Sequence, residues 1–579
     1  MPDGNPDDSS LRDVERDRQT ILSARSRGKL ATLGAFTKLS GPGWMQSALT
    51  LGGGTMGSSL YLGALAGVSM IWLQPFAMAL GVIMLSAISY VTLSTGERPF
   101  RSINKHINPV LGWSWLIAAL MANMVWSMPQ YSLCFAVAEQ NLFPEVFSGD
   151  GLLAPTANYP NLGKWVVSIA ILVLCTSVTW SYGSGSFGIK LYEGLLKVVV
   201  AVIVVCFFGV VARMAMIGDG VDWAGVLSGM IPKLHHLYAP SEAFSPFLDA
   251  IADPAARTYW YDYIVSQQRD VMISAGSAAV GINMTFLLPY NLLSRGWKKD
   301  FRGMTIFDMA TGTFIPFVLA TGCIVIAAAT QFHAQLPEGA TAQGTTIEVP
   351  EHMEEKYGKL LEMRQSSESL SAGELPEEVS LPEQQLAAML VKRDTYDLAK
   401  SLETLFSDGK GSGGRLFSNI VFGVGVVGMT LSSISLMMLI SGFVICELAD
   451  RPPIGWLFRI GCLASANGVL WPLIWANETK AWLTIVAGVY GAMLLPVAYV
   501  TFYLLMNQEL LLGKERPRGG KRIVWNALMA VAALAATGAG ISAIMKHAGY
   551  KGLAFAGAYI LLVLAVQFWR KAKSQSSAV

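Results

Sequence analysis

Apolar stretches long enough to cross a bilayer recur along almost the whole chain. A transmembrane helix needs about 20 predominantly apolar residues, and the 579-residue sequence holds about twelve such stretches. Only 14% of the residues are charged, against roughly 25% in soluble domains. The sequence therefore predicts an all-α polytopic membrane protein. Its predicted spans are 44–68, 71–95, 112–138, 163–182, 192–213, 272–294, 305–330, 416–447, 454–474, 481–507, 523–545 and 552–570.

Basic residues set the expected orientation. Lys and Arg gather on one side of the predicted topology, and loops rich in these residues usually face the cytoplasm. We therefore expect a cell-membrane protein (inner or plasma membrane) with both termini in the cytoplasm. The expected segments are a basic N-terminal segment at 1–40, transmembrane helices 1–7 at 41–330, an insertion at 331–414, transmembrane helices 8–12 at 415–570 and a cytoplasmic tail at 571–579.

The insertion at 331–414 differs from the rest of the chain because it is polar and acidic. The same topology predicts that it is extracytoplasmic. Glu351–Arg364 and Pro382–Leu405 have helical spacing, which favours a small helical cap. A disordered insertion is the alternative, since the segment is poor in apolar residues.

Two predicted spans contain residues that interrupt a helix. Leu51–Thr55 reads LGGGT in the middle of the first span, although each glycine costs about 1 kcal/mol relative to alanine in a helix. The sixth span carries Pro289 within Gly281–Asn291, and a proline removes one helix hydrogen bond. Corresponding interruptions in two halves of a chain are typical of inverted-repeat transporters, whose unwound segments form the substrate site. Close helix packing at the glycines is the alternative interpretation.

Several motifs resemble those of one transporter family. Gly41-Pro42-Gly43 leads into Gly52–Thr55, where that family has Gly-Pro-Gly followed by Asp-Pro-Gly-Asn, and Leu288–Asn291 matches its Met-Pro-His-Asn. Gly188–Val211 is similar to its fifth helix. The family is the natural-resistance-associated macrophage protein (Nramp) family of divalent-metal transporters. The resemblance implies the leucine-transporter (APC-type) fold, a 5+5 inverted repeat that transports by alternating access.

The departures from the family pattern concern the metal ligands. In the family, an Asp and an Asn of helix one, a Met of helix six and a Gln of helix ten bind the metal. The corresponding residues here are Gly52, Thr55, Leu288 and Leu494. Carboxylates suit hard cations and thioethers suit softer transition metals. The resemblance therefore implies a site with neither, in which Mn²⁺ or Fe²⁺ would not be bound by the family scheme.

Proton coupling is also expected to differ. The two helix-six histidines of the family correspond to Tyr290 and Arg295, and neither side chain exchanges protons easily at neutral pH. Asp308 in the seventh span is the remaining intramembrane acid, which is a functional hypothesis by default. Its place near the end of the span favours an ion pair with Arg302 or Lys299.

Two cargo classes remain open. The first is a partly hydrated divalent cation, for which Mg²⁺ is more plausible than Mn²⁺ or Fe²⁺ because it keeps several waters. Its predicted contacts are Gly52, Thr55 and Thr285, in part through water. The second is a small organic solute, an amino acid or a carboxylate, held by the N–H groups of a half-helix N-terminus. The whole-chain resemblance to metal carriers slightly favours the cation.

The predicted substrate site groups the residues around both interruptions. We expect the solute and the lipid bilayer as partners, with no nucleic acid, no cofactor and no enzymatic activity, because the histidines and glycines form no catalytic motif. The site residues are Gly52, Gly53, Gly54, Thr55, Asn283, Thr285, Leu288, Pro289, Tyr290, Asn291 and Leu494.

Overall fold

The first span is divided into two short helices, as the glycines predict. In the computed structural model, α1 (Asp8–Arg27) and α2 (Lys29–Leu39) lead into α3 (Pro42–Thr50), and α4 (Gly53–Ala66) continues the span. The structure describes residues 8–147, 151–182, 186–216, 221–372, 379–393, 413–474 and 483–576.

Helices of very different lengths make up most of the next part of the chain. They are α5 (Leu73–Thr95), α6 (Pro99–His106), α7 (Pro109–Val137), α8 (Pro144–Phe147), α9 (Leu162–Tyr182), α10 (Ser186–Met216), α11 (Trp223–Gly229), α12 (Ser245–Asp249), α13 (Pro254–Ala279), α14 (Ile282–Ser294), α15 (Arg302–Asp308) and α16 (Phe314–Phe332). Ala138–Leu142 and Met309–Thr313 are π-helical, and short 3₁₀ helices lie at Gly67–Met70, His235–Leu237, Glu242–Phe244 and Lys299–Phe301.

A short hairpin and further helices complete the described chain. The strands β1 (Thr341–Gln343) and β2 (Thr346–Glu348) pair antiparallel. The helices are α17 (Glu351–Ala372), α18 (Leu381–Leu390), α19 (Gly413–Leu448), α20 (Gly455–Cys462), α21 (Trp471–Ile474), α22 (Leu483–Met506), α23 (Glu509–Leu512) and α24 (Gly520–Ser576), with 3₁₀ helices at Leu463–Leu470 and Gly513–Glu515.

The helices account for the predicted membrane spans. Among the described residues, 10 helical stretches are long and apolar enough to cross a membrane. The first span is not among them because α3 has 9 residues and α4 has 14. The last stretch, Gly520–Lys573, turns at Gly549, whose φ is 57°. This arrangement agrees with the prediction of about twelve spans.

The interruption of the sixth span lies elsewhere than the sequence suggests. Pro289 is inside α14, and the helix continues through it. The break falls at Val280 and Gly281, both in extended conformation. The prediction that the proline interrupts the span was therefore wrong in position. A proline removes only one hydrogen bond, and neighbouring helices compensate for such a loss inside membranes.

The interrupted helices lie at the centre of the bundle. Helix α4 packs against α13 and α16, and α3 packs against α10, α19 and the π-helical segment Met309–Thr313. Helix α19 also contacts α7. Every residue of α14 from Ile282 to Leu292 is buried. The broken segments are therefore enclosed by protein, which is where irregular backbone is tolerated at membrane depth.

Asp308 anchors the beginning of α3. Its buried carboxylate accepts hydrogen bonds from the backbone N–H of Gly43 at 2.6 Å and of Gly41 at 3.3 Å, and from the Ser40 hydroxyl. Helix N-termini carry unpaired N–H groups and favour an anion. Asp308 thus caps a half-helix.

The predicted ion pair of Asp308 with Arg302 or Lys299 was wrong. The structure pairs both bases with Glu515, at 2.8 Å from Arg302 and 3.6 Å from Lys299. The carboxylate of Asp308 therefore binds the N-terminus of α3. Glu515, in the 3₁₀ helix Gly513–Glu515, forms the ion pairs with the two bases.

The other end of the first span is held by two histidines. The His333 ring donates from Nδ1 to the Ala64 carbonyl at 3.1 Å, and His236 Nε2 lies 2.9 Å from the Ser69 hydroxyl. Both rings lie outside the membrane-spanning helices. Burial lowers the pKa of His333 and lowers the pKa of His236 to about 4, and the nearby His235 contributes to the shift at His236. The two rings are therefore neutral at pH 7.

The described part of the insertion is folded against the bundle. Helix α17 begins where the sequence predicts a helix, and α18 covers part of the second predicted helix; residues 394–405 of that prediction lie outside the described residues. Within the insertion, α17 and α18 are joined by a buried ion pair in which Arg364 Nε lies 2.9 Å from Glu383 Oε1. Trp260 Nε1 of α13 donates to the same oxygen at 3.1 Å. Tyr61 of α4 also donates to the Arg393 carbonyl.

We predict that Glu383→Ala loosens the insertion from α13. The Arg364 and Glu383 side chains are only 4% and 7% exposed, and removing one partner of a buried pair typically costs about 3–5 kcal/mol. Limited proteolysis of the purified protein should show faster cleavage near α17 and α18. The control is Glu355→Ala, which removes an exposed pair with Lys359 and should leave the cleavage rate nearly unchanged. Equal cleavage rates in both variants would contradict the prediction.

Candidate substrate cavity

Both interruptions use short extended segments in place of a helical turn. Leu51 and Gly52 separate α3 from α4, and Gly52 is extended with φ −106° and ψ −179°. Val280 and Gly281 separate α13 from α14, and the Asn283 side chain accepts the Met284 N–H at 2.9 Å. Each break leaves carbonyls at the end of one half-helix and N–H groups at the start of the next without helical partners.

The three consecutive glycines each allow a close contact. A Cβ at Gly52 would overlap the Ser433 hydroxyl, and one at Gly54 would overlap the Trp126 ring. A Cβ at Gly53 would lie 2.7 Å from Gln130 Oε1 and 2.6 Å from a Leu133 methyl group. None of the three has a positive φ. Close approach of neighbouring side chains, and not backbone conformation, therefore requires glycine here.

Hydroxyl groups satisfy the carbonyls at the end of α3. The Ser432 hydroxyl donates to the Ala48 carbonyl at 3.1 Å, and that of Ser433 donates to the Leu49 carbonyl at 3.3 Å. The next carbonyl, of Thr50, accepts from the Thr55 hydroxyl across the break. These bonds replace the helical ones that the break removes, as buried backbone groups require.

Two more hydrogen bonds join the broken segments to each other and to α7. The Thr50 hydroxyl donates to the Ala279 carbonyl at the end of α13, at 3.3 Å. The Gly53 N–H, the first of α4, donates to Gln130 Oε1 at 2.8 Å. An amide oxygen has two lone pairs, so Gln130 Oε1 keeps one of them after this bond.

A cavity of about 380 Å³, its mouth included, lies between the two interruptions. The ends of all four half-helices border it, together with one face each of α7 and α19. It is lined by Leu49, Thr50, Gly52, Gly54, Thr55, Trp126, Gln130, Ser277, Ala278, Gly281, Asn283, Met284, Ser433 and Met437.

Four of the predicted site residues line this cavity. They are Gly52, Gly54, Thr55 and Asn283. Gly53 lies beside it, with its N–H bonded to Gln130. The structure therefore brings the glycine segment and the start of α14 together, although the two are more than 200 residues apart in sequence.

The other predicted site residues lie away from the cavity. The Thr285 hydroxyl donates to the Ile282 carbonyl and accepts from Trp115 Nε1 at 2.9 Å, so it faces α7. Tyr290 stacks on Phe286 at a ring separation of 4.4 Å. Their separation from the cavity follows from the position of the break, which lies at Gly281 and not at Pro289. The remaining residues of this group are Leu288, Pro289 and Asn291 on α14 and Leu494 on α22.

Sequence reasoning missed the contributions of α7 and α19. Trp126 and Gln130 come from α7, and Ser433 and Met437 from α19. All four lie inside long apolar helices, where a single polar residue gives no positional signal. A polar residue in a span that faces the bundle interior is a functional hypothesis, and that rule would have selected Gln130.

The cavity contains thioethers but no charged side chain. The expectation that sulfur is absent was wrong, because Met284 and Met437 line the cavity. The Met284 sulfur lies 3.1 Å from the Thr50 hydroxyl oxygen. None of the described lining residues is acidic or basic. Nor do any three His, Cys, Asp or Glu side chains in the described parts of the chain group as metal ligands.

Fold and cavity together define a class of protein. Two helices interrupted near the middle of the bundle, with a polar cavity between the breaks, are the arrangement of a secondary transporter with the leucine-transporter fold. The chain belongs to the Nramp family: residues 43–363 match the model of natural resistance-associated macrophage protein-like sequences. It is therefore a multi-pass membrane transporter of the Nramp type. No curated protein sequence matches the chain.

Solved structures share the fold. Two mutant forms of the manganese transporter of Eremococcus coleocola align with TM-scores of 0.58 and 0.56, at 12% and 11% identity. Each alignment covers 93% of this chain and 94% of the other. A third structure of the same transporter, in complex with an aromatic bis-isothiourea substituted compound, aligns at 0.53 and 12% identity, with the same coverage of both chains.

We predict that Gly54→Ala destabilises the protein by about 1–3 kcal/mol, the usual cost of overpacking a filled site. The added methyl group would overlap the Trp126 ring. Gly276→Ala on α13 is the matched control, because nothing lies within 4 Å of its added methyl group, and it should keep or raise stability. Thermal melting in detergent measures both. A Gly54→Ala protein that melts at the wild-type temperature would rule out the tight contact.

Proposed function

We propose that the protein carries a partly hydrated divalent cation, with Mg²⁺ as the preferred ion, through the cavity between the two interruptions. The observation that carries this proposal is the polar lining of neutral groups without a carboxylate. Removing all water from a dication without a countercharge is very costly. A site of hydroxyl and amide oxygens is compatible with a dication that keeps part of its water shell.

The size of the cavity supports a hydrated cargo. Of its volume of about 380 Å³, mouth included, only about 40 Å³ is open to the centres of water-sized molecules. One water needs about 10–15 Å³ by that measure, so the cavity has room for about three. Thr50, Thr55, Ser277 and Ser433 are the hydroxyl-bearing residues that line this space. Mg²⁺ gives up its waters reluctantly and is usually bound with several of them in place. Thr285, an expected contact, is not part of the proposed site because its hydroxyl faces α7.

A softer transition metal is the second candidate. Met284 and Met437 place two thioethers at the cavity, and thioether ligands select softer ions. The structurally similar Eremococcus coleocola protein is a manganese transporter. Against this candidate, none of the described lining residues supplies an anionic ligand to compensate for the loss of water.

Titration calorimetry of the purified protein distinguishes the candidates. We expect saturable Mg²⁺ binding that Thr55→Val weakens by at least about tenfold, or about 1.4 kcal/mol, the order of one hydrogen bond. Thr321→Val is the control, because its hydroxyl bonds only the Phe317 carbonyl of its own helix. Tighter binding of Mn²⁺ than Mg²⁺ would favour the second candidate. Heat from an amino acid or a carboxylate, with none from any metal, would overturn both.

We further propose that both termini are cytoplasmic, because Lys and Arg gather on one side of the predicted topology.

We also propose that transport is not coupled to protons. A neutral hydrogen-bonded chain leads away from the cavity: Asn283 donates to Asn123 at 3.1 Å, and Asn123 donates to Ser441 at 3.2 Å. The Ser441 hydroxyl bonds that of Ser465. Amides and alcohols do not titrate near pH 7, so this chain holds no proton acceptor.

Uptake into liposomes tests the coupling. With equal Mg²⁺ gradients, we expect the same uptake rate with and without a pH gradient, and no acidification of the lumen. The neutral lining of the cavity is the physical reason. Proton entry that depends on Mg²⁺ and scales with its uptake would contradict this part of the proposal.

A further inference from the structure

We infer that the hydroxyl of Ser433 on α19 is a cavity ligand and occupies the space that a side chain at position 52 would take. In this role the hydroxyl makes the site selective for a cation that keeps its water. This inference rests on the proposed function and names the residue that sets its selectivity. The inference is based on the observation that a Cβ at position 52 and the Ser433 hydroxyl would occupy the same space.

The backbone at Gly52 does not require glycine. Its φ of −106° and ψ of −179° are extended values that any residue adopts. What excludes a side chain is Ser433: a Cβ at position 52 would overlap its hydroxyl and would lie 3.1 Å from its Cβ. The chain can therefore have a side chain at position 52 or a hydroxyl at position 433, but not both without displacement.

The Ser433 hydroxyl is oriented by the end of α3. It donates its hydrogen to the Leu49 carbonyl at 3.3 Å. A hydroxyl has one donor and two acceptor lone pairs, so its acceptor lone pairs remain available after this bond. Since Ser433 also lines the cavity, these lone pairs can accept from a cargo water or bind the cation directly.

A neutral oxygen at this point acts differently from a carboxylate. A carboxylate at position 52 would offset part of the free energy needed to dehydrate a dication. It would attract Mg²⁺ and Mn²⁺ alike. A hydroxyl offers only a dipole. Selectivity then depends on how readily the ion retains its waters, and Mg²⁺ retains them more strongly than larger divalent ions.

Substitutions at the two positions test the competition for space without any cargo. Gly52→Asp alone should lower the melting temperature and the yield of folded protein, because the new side chain meets Ser433. The double variant Gly52→Asp with Ser433→Gly should recover most of this loss, although Ser433→Gly alone is itself mildly destabilising in a helix. A Gly52→Asp protein as stable as the wild type, or a double variant no more stable than Gly52→Asp, would overturn the inference.

Cation titration tests the selectivity. Ser433→Ala should weaken Mg²⁺ binding by about tenfold, the order expected for one hydrogen-bonding group. The double variant should bind Mn²⁺ and Mg²⁺ more tightly than the wild type and with a smaller preference between them. Thr430→Val, one turn earlier on α19, is the control because Thr430 is not among the residues that line the cavity.

The outcomes separate this inference from the proposed function. If the wild type binds Mg²⁺ and Ser433→Ala binds it equally well, the role of Ser433 is refuted and the proposed function stands. If the wild type binds no divalent cation, the proposed function fails and the ligand role fails with it. The melting comparison of Gly52→Asp with the double variant still decides whether the two positions compete.

Discussion

The whole arrangement depends on satisfying broken backbone inside the membrane. A helix that stops at mid-depth exposes carbonyl and N–H groups that hydrocarbon cannot bind. Here neighbouring side chains bind several of them: the hydroxyls of Ser432, Ser433 and Thr55 at the end of α3, and the Gln130 amide at the start of α4. The polar lining of the cavity is in large part this same set of groups.

The shared use of these groups, for binding the backbone and for lining the cavity, explains why the cavity is neutral. The groups that stabilise the interruption are donors to carbonyls or acceptors from N–H groups, and alcohols and amides perform both tasks without charge. A carboxylate is found at the other end of α3, where Asp308 caps the N-terminus. A charged side chain therefore lies at the beginning of α3, whereas the described residues that line the cavity at the end of α3 are neutral.

The sequence predicts the spans, the break in the first helix and the helices of the insertion, because each depends on a local pattern. Pro289 misled the prediction of the second break, since a helix tolerates a proline that its neighbours support. Gln130 lies 77 residues from Gly53 and Ser433 lies 384 from Leu49. Contacts at such separations leave no periodic signal, so most of the cavity lining could be found only from the fold.

Most of the departures from expectation share this cause. Thr285 and Tyr290 face away from the cavity because the break lies eight residues before Pro289. The same shift brings Met284 to the cavity in place of Leu288. The position of one break therefore decides which residues of α14 line the cavity.

The folded insertion has a consequence for experiment. It bonds to α13 through Trp260 and to α4 through Tyr61, so it is attached to two of the half-helices that border the cavity. In transporters of this fold, alternating access is largely the movement of one helix bundle against the other. An antibody fragment raised against α17 and α18 would bind the part of the chain that contacts both of these half-helices. Its binding rate would then report on helix movements within the membrane.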